Sequence, residues 1–416
     1  MVIFLTMREL LAPLRSPVYR FLWIASVVSN LGTLMQAVAV AWVMTSLTVS
    51  PLVISLVPVA TLAPVFLFGL AGGTLADTVD RRFFLIGTQL WMMLCAVALG
   101  SLVWSGHATP AGLLALTFAL GTGAALNLPA WQSLVQDLVP RERVASAVAL
   151  NSISFNTGRV LGPVTGGLLV GWIGAGPVFF INAASFLGTV LVLSFWSGVA
   201  PATQAGPFWR SIGGGLRYAR QAVHLHSPLL RLAAFSFGAS APLALLPLLA
   251  RENLGLSAAE YGSLLGTFGL GSLLGGATSP LLRRRVGPSK TVSASALVAG
   301  LALGLLGNAQ SFPWAAAALL LGGFAWVSSM VNLNVAVQTS VPAEFRGRII
   351  AIHLTVLQGS FALGSLAAGL VAKMTGLPAT LWIFGGGLAL VALATFRHAL
   401  PGPAVQGSVG ASADGP

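Results

Sequence analysis

The sequence predicts an all-α integral membrane protein of twelve transmembrane helices, arranged as two six-helix bundles in parallel-repeat orientation. Three observations carry this. Only 7% of the 416 residues are charged, 56% are hydrophobic, and the mean hydropathy is +0.89. Apolar runs of bilayer-spanning length recur along the whole chain. Two stretches of the first half also reappear about two hundred residues later.

A soluble domain carries about 25% charged residues on its exterior. This chain has too few to cover a water-facing surface, so its apolar surface faces lipid. The net charge of +12 suggests a nucleic-acid partner only if the basic residues form a stripe with stacking aromatics. They fall instead in short segments between apolar runs, which excludes nucleic acid and points to membrane orientation. The single cysteine, Cys95, excludes an internal disulfide and a cysteine metal cluster. The five histidines lack ligand spacing, so no metal and no cofactor is expected.

A hydrocarbon core about 30 Å thick needs roughly 20 apolar residues per helix. Breaks at charges, Pro and Gly place helices near 20–46, 51–76, 83–104, 111–136, 146–171 and 178–198. Six more fall near 230–250, 259–282, 290–309, 313–339, 347–372 and 379–399. The domain reading is an N-terminal bundle over 1–198, a basic cytoplasmic connector over 199–228, a C-terminal bundle over 229–400 and a disordered tail over 401–416. Of the 21 Lys and Arg, 18, Arg231 among them, then lie on the side of the termini, Arg251 and Lys373 lie opposite, and Arg159 is inside a helix. Because positive residues stay in the cytoplasm, both termini are expected there, in the cell (inner) membrane.

The turn after helix four, QDLVPRERVASAV from Gln136, matches QTSVPAEFRGRII from Gln338 at an offset of 202. At that offset Gly162 meets Gly364 and Gly167 meets Gly369. GGTLADTVDRR from Gly72 matches GGATSPLLRRR from Gly275 at 203. Two matches at nearly one offset imply two six-helix halves in the same orientation, a plan of secondary transporters that bind substrate between the halves.

At these turns the sequence resembles the major facilitator superfamily, over residues 16 to 400. Gly73, Leu75, Ala76, Asp77, Arg81 and Arg82 fill its G-x-L-A-D-x-x-G-R-R/K loop between helices two and three. Asp80 replaces a glycine there, and Thr78 a basic residue. The resemblance implies a gate of Gly73, Asp77, Arg81 and Arg82, with the aspartate facing the N-terminal end of helix eleven. In helix five Gly158, Gly162, Pro163, Gly166 and Gly167 match G-x-x-x-G-P-x-x-G-G, the pattern of antiporter-type exporters in that superfamily. Physically, glycines every four residues make a flat face for close helix approach, and the proline bends the helix. The surrounding residues resemble the branch that includes enterobactin-type siderophore exporters and some drug exporters. In the second half Pro280 stands where Asp77 would.

Arg159 is the one charge near mid-span, roughly 18 Å from either helix end. At a helix centre an Arg costs about 2.5–3.5 kcal/mol, so it must face a cavity or protein partners. Ser152 and Asn156 share its face. Two roles stay open for it, attraction of an anionic or oxygen-rich substrate group and fixing of helix packing. Helix one carries Ser29, Asn30, Thr33 and Gln36, and helix ten Ser328 and Asn332. The resemblance places helices one, four, seven and ten around the cavity, which makes Asn30, Gln36 and Asn332 candidate cavity residues. Interhelical hydrogen bonding is the other role open to them. Trp131 and Trp326 could pack on a substrate, or anchor at the membrane interface, which suits Trp131 near the end of helix four.

No enzyme is expected, since no catalytic constellation or metal set lies at matching depth, and no Walker pattern supports ATP-driven pumping. The resemblance implies a monomeric exporter of a small molecule, siderophore-like or drug-like, by proton antiport through alternating access. Asp77, Asp137 and His353 are the candidate proton carriers. Uptake, or a non-transporting sensor on the same scaffold, are the competing readings.

Overall fold

The described residues form twelve long helical segments, since each apolar run must satisfy its backbone hydrogen bonds internally within lipid. A computed structural model describes residues 7–196, 222–341, 343–396 and 400, without the side chains of 69–78, 136, 223 and 343–348. The first half comprises α1 (Pro17–Leu47), α2 (Pro51–Thr78), α3 (Arg81–Trp104), α4 (Pro110–Asp137), α5 (Val144–Ile173) and α6 (Ala175–Phe195). The second comprises α7 (Val223–Asn253, in three pieces), α8 (Ala258–Val286), α9 (Pro288–Gly307), α10 (Phe312–Thr339), α11 (Ala343–Thr375) and α12 (Leu377–Thr395). Ten of them are long and apolar enough to cross a membrane; α5 and α8 are not among these ten. The tail over 401–416 and most of the connector lie outside the described residues, and α7 begins inside the stretch read as connector.

Local chemistry sets the helix ends. The Asp80 carboxylate accepts hydrogen bonds from the backbone N–H groups of Arg82 and Phe83, so the residue that departs from the family pattern is the N-cap of α3. Thr109 caps α4 in the same way. Ser257 and Glu260 form a reciprocal capping box at α8. Gly174 and Gly376 make the turns after α5 and α11 with nearly identical backbone angles (φ 85°, ψ 169° and φ 82°, ψ 169°), a region open essentially only to glycine. These two positions are 202 apart, the offset read from the sequence.

The single helix expected at 230–250 is broken. Its pieces are Val223–Gly238, Ala241–Leu248 and a π-helical turn, Leu249–Asn253. Pro242, at the start of the second piece, has no N–H to continue the ladder.

Contacts near the helix ends collect at two opposite ends of the bundle. At one, which we call the terminal end, Arg81 pairs with Asp137 and Arg82 Nη2 donates to the Ser194 carbonyl (2.6 Å). There too Arg231 Nη2 donates to the Thr395 carbonyl (2.7 Å). Arg231, counted from sequence among the positive residues on the side of the termini, is 2% exposed and ties α7 to α12.

The halves meet along two helix pairs, α5 with α8 and α2 with α11. A Cβ on Gly167 would stand 2.5 Å from the Ala258 carbonyl oxygen, and one on Gly262 2.3 Å from that of Pro163. Only glycine permits that approach. In the second half a Cβ on Gly369 would stand 1.9 Å from Ser55 Oγ on α2. Inside the halves, Gly162 lies against Leu34 of α1, and Gly364 against Phe237 of α7. Thus Gly162 and Gly364 occupy corresponding contacts within the halves, and Gly167 and Gly369 corresponding contacts between them.

Candidate functional site

The glycine motif of α5 serves two interfaces. Gly158, Gly162 and Gly166 lie against Asn30, Leu31, Leu34 and Met35 of α1, within the first half. Gly167 and the Pro163 carbonyl face α8 across the divide. One short sequence therefore holds a helix to its own bundle and lets the opposite bundle come close.

The far end, opposite the termini, is closed by side chains from both halves. The Arg251 guanidinium lies 5.3 Å from the Trp42 ring centre and donates to Thr45 Oγ1 at 3.3 Å. Tyr261 stacks on Trp42 with ring centres 5.7 Å apart. Cation–π and stacking contacts of this kind join α1 to α7 and α8. The π-turn of α7 carries Arg251.

Toward the terminal end a cavity of about 540 Å³ is walled by α1, α4 and α5. Asn30, Trp131, Gln132, Ser152, Phe155 and Asn156 line it. Asn156 is exposed there, its Nδ2 donating to the Ser152 carbonyl (2.8 Å), and Asn30 Nδ2 donates to Ser154 Oγ (3.0 Å). Trp131 lines this cavity, where the substrate-packing alternative would place it. A second pocket of about 210 Å³ opens between α1, α3, α4 and α6.

Arg159 is half-buried, one helical turn beyond Phe155, with its guanidinium 5.8 Å from that ring centre. It forms no ion pair among the described residues. Its carbonyl belongs to the α5–α8 crossing, opposite Gly269.

Two expected cavity residues sit elsewhere. Gln36 is buried, and its Oε1 accepts from Asn182 Nδ2 of α6 at 2.7 Å. Asn332 is buried too, donating to Ser279 Oγ (3.0 Å) and the Ser328 carbonyl (2.8 Å). A buried amide needs partners, and in both cases a neighbouring helix supplies one. They are interhelical hydrogen-bonders, the alternative left open by the sequence.

Within the gate motif, Arg81 is buried and paired to the half-exposed Asp137, while Arg82 ties α3 to the end of α6. These contacts fall within the first half. Gly73 and Asp77 lie in the last turns of α2, whose side chains are outside the described residues. His353 is buried on α11, and its Nδ1 has no hydrogen-bond partner among the described residues. Sequence reasoning missed Gln89, Asn127 and Arg251; each is a polar residue in or beside an apolar run, visible only as one polar letter among many.

Twelve described helices in two halves joined by glycine crossings, with a polar cavity walled by α1, α4 and α5, have the plan of a membrane transporter of the major facilitator type. The chain belongs to that superfamily and, within it, to the transmembrane secretion effectors, whose family model matches residues 9–411. It is 29% identical over 371 residues to the enterobactin exporter EntS of Escherichia coli, covering 86% of each chain. It is 26% identical over 385 residues to the MFS-type transporter YfiS of Bacillus subtilis, covering 88% of this chain and 90% of that one. Its fold is similar to the nucleoside transporter NupG, with a TM-score of 0.71 and 14% identity, over 92% of this chain and 100% of that one. It also matches a bacterial homologue of the lysosomal transporter Spinster in an inward-facing, occupied conformation (TM-score 0.69, 17% identity, 92% and 94% covered). The relatives are transporters, and the chain is a multi-pass membrane protein that moves small molecules, not an enzyme.

Proposed function

We propose that the protein exports a siderophore-like or drug-like small molecule from the cytoplasm by alternating access, driven by proton antiport. The observation that carries this reading is the polar cavity of α1, α4 and α5 toward the terminal end, set against a far end sealed by Trp42, Arg251 and Tyr261. With both termini cytoplasmic, as the arginine distribution requires, that cavity loads from inside the cell. The chain acts as a monomer of two rocking halves, 1–198 and 229–400, in the inner membrane. Kinship with an enterobactin exporter and the glycine motif of α5 support the outward direction. Arg159 draws an oxygen-rich or anionic group of the substrate toward the level of the crossing. Asp77, Asp137 and His353 are the proton-carrying candidates. His353 has the buried, unpaired ring nitrogen such a role requires, whereas Asp137 is held by Arg81.

The test is transport in inverted vesicles with an imposed pH gradient. Enterobactin is expected to accumulate inside them, and a protonophore to abolish the accumulation. Movement in the opposite sense makes the protein an importer, and no flux of any compound in a siderophore and drug panel leaves a sensor. Replacing Arg159 with Gln is expected to lower flux roughly ten-fold, the loss of one charge-assisted contact, with the unfolding midpoint retained. Unchanged flux of every transported compound removes Arg159 from substrate handling.

A further inference from the structure

The two copies of the repeated turn, after α2 and after α8, treat their charges differently. In the first copy Asp77 and Asp80 accompany Arg81 and Arg82, so acids and bases balance. Protein groups also engage both arginines, Asp137 holding Arg81 and the Ser194 carbonyl accepting from Arg82. At the offset of 203, Pro280 replaces Asp77 and Arg283 replaces Asp80, which leaves Arg283, Arg284 and Arg285 in a row, with Lys290 shortly after. No Asp or Glu occurs between Glu260 and Glu344. Arg284, Arg285 and Lys290 are exposed and Arg283 is half-buried, and none of the four has a hydrogen-bond or ion-pair partner among the described residues.

Two ordinary explanations fall short. Cations in the last turn of a helix answer its dipole, but that dipole amounts to about half an elementary charge, against three arginines at the end of α8. Membrane orientation asks for Lys and Arg in a turn and does not exclude acids from it. The turns at Arg81, Arg141 and Arg346 carry Asp80, Glu142 and Glu344 beside their arginines, whereas the α8–α9 turn carries no acid.

Gly287, with φ 88°, turns the chain directly from α8 into α9, so the arginines and Lys290 share one end of the bundle. Successive residues lie about 100° apart around a helix, so the three arginines fan over about 200° of the end of α8. That spread suits two phosphates better than one. Leu281 and Val286, 50% and 45% exposed, set apolar surface beside the cations. An anionic headgroup joined to acyl chains is the complement of such a surface.

We propose that the α8–α9 turn binds an anionic membrane lipid carrying two phosphates, held by Arg283, Arg284, Arg285 and Lys290, with its acyl chains over Leu281 and Val286. The anion that the first half carries as Asp80 is drawn, in the second, from the bilayer. Binding holds the ends of α8 and α9 at headgroup level. The site needs only a membrane surface at this turn; that the surface is the cytoplasmic one rests on the sidedness proposed above.

The probe is cardiolipin, titrated into the delipidated full-length protein in neutral detergent and counted by native mass spectrometry, beside phosphatidylethanolamine and inorganic pyrophosphate. The wild type is expected to retain one cardiolipin in preference to phosphatidylethanolamine. Arg284→Gln combined with Arg285→Gln should weaken cardiolipin roughly five-fold per charge removed, and Lys at both positions should restore most of the binding. The unfolding midpoint without lipid should not move, since these side chains touch no partner. Arg141→Gln combined with Arg143→Gln, in an acid-bearing turn, is expected to leave cardiolipin binding unchanged. Equal affinity in the wild type and both double variants, or equal losses in the two, overturns the site. Displacement of cardiolipin by pyrophosphate makes the guest a soluble anion and overturns the lipid assignment. Sidedness is read separately: in a Cys95→Ala background, Val286→Cys should react with an impermeant thiol reagent in inverted vesicles and not in right-side-out ones. The reverse pattern refutes the sidedness and leaves the lipid site standing.

Discussion

The two halves share a backbone plan and differ in what they hold inside. At the 202-residue offset Trp131, on the cavity wall, meets Leu333, which is fully buried, and half-buried Arg159 meets Phe361, packed edge-on against Trp326 at 5.7 Å. The most apolar window of α7 is 78% buried against 44% for α1. At these positions the first half opens a polar cavity, and the second places packed aliphatic and aromatic side chains. A repeated fold needs to conserve only its glycine crossings and turns; the interior of one copy is then free to become a site while the other stays a packed scaffold.

The largest effect that would sharpen this contrast is a truncation in the filled half. Leu333→Ala is expected to cost about 2–5 kcal/mol, read as a lowered unfolding midpoint, because it opens a cavity among close-packed neighbours. A loss no greater than that of Leu128→Ala, in the hollow half, would break the comparison. Next comes the contact that ties the halves together. Trp42→Ala removes both the Arg251 and the Tyr261 contacts, together worth about 1–3 kcal/mol. Distances between paired spin labels across the far end should shift toward an open population; an unaltered distribution would show that the clamp does not hold this state.

A smaller difference separates the starts of α3 and α9. Asp80→Ala should lower the unfolding midpoint by the equivalent of about 1 kcal/mol, since the carboxylate satisfies two free N–H groups. α9 begins instead at Gly287 with no side-chain cap, so replacing Ser289 with Ala should not cost it a cap. The smallest effect is a control: Gly386→Ala, where a new Cβ meets nothing within 4 Å, should leave both midpoint and flux unchanged.

Much of the architecture was legible because lipid enforces simple rules. Apolar run length marked the twelve described helices to within a few residues, apart from the longer ends of α7, α8 and α11 and the earlier end of α12, and the glycines at 162, 167, 364 and 369 fell into matching contacts. The break in α7 was not legible, since prolines are tolerated in membrane helices when neighbours reclaim the freed carbonyls. Nor was the division between cavity and seam. Asn30 and Gln36 lie six residues apart on one helix, yet one borders open space and the other pairs with Asn182, a distinction set by what α6 presents. Likewise Asp137, one of the candidate proton carriers, is engaged by Arg81, a residue 56 positions earlier that no local pattern connects to it.

The modest apolarity of α5 and α8 has a consequence for how the polypeptide is made. Neither is among the helices apolar enough to cross bare hydrocarbon, and α8 turns Gly262, Gly266 and Gly269 to α5, which meets it with Gly167 and the Pro163 carbonyl. While the ribosome is still producing the chain, α5 exists without α8, and its contact with α1 is what must shelter it. Completion of the second half then covers the face of α5 that carries Gly167 and the Pro163 carbonyl, so maturation of the two bundles is coupled, and a chain halted before Ala258 should be short-lived in the cell.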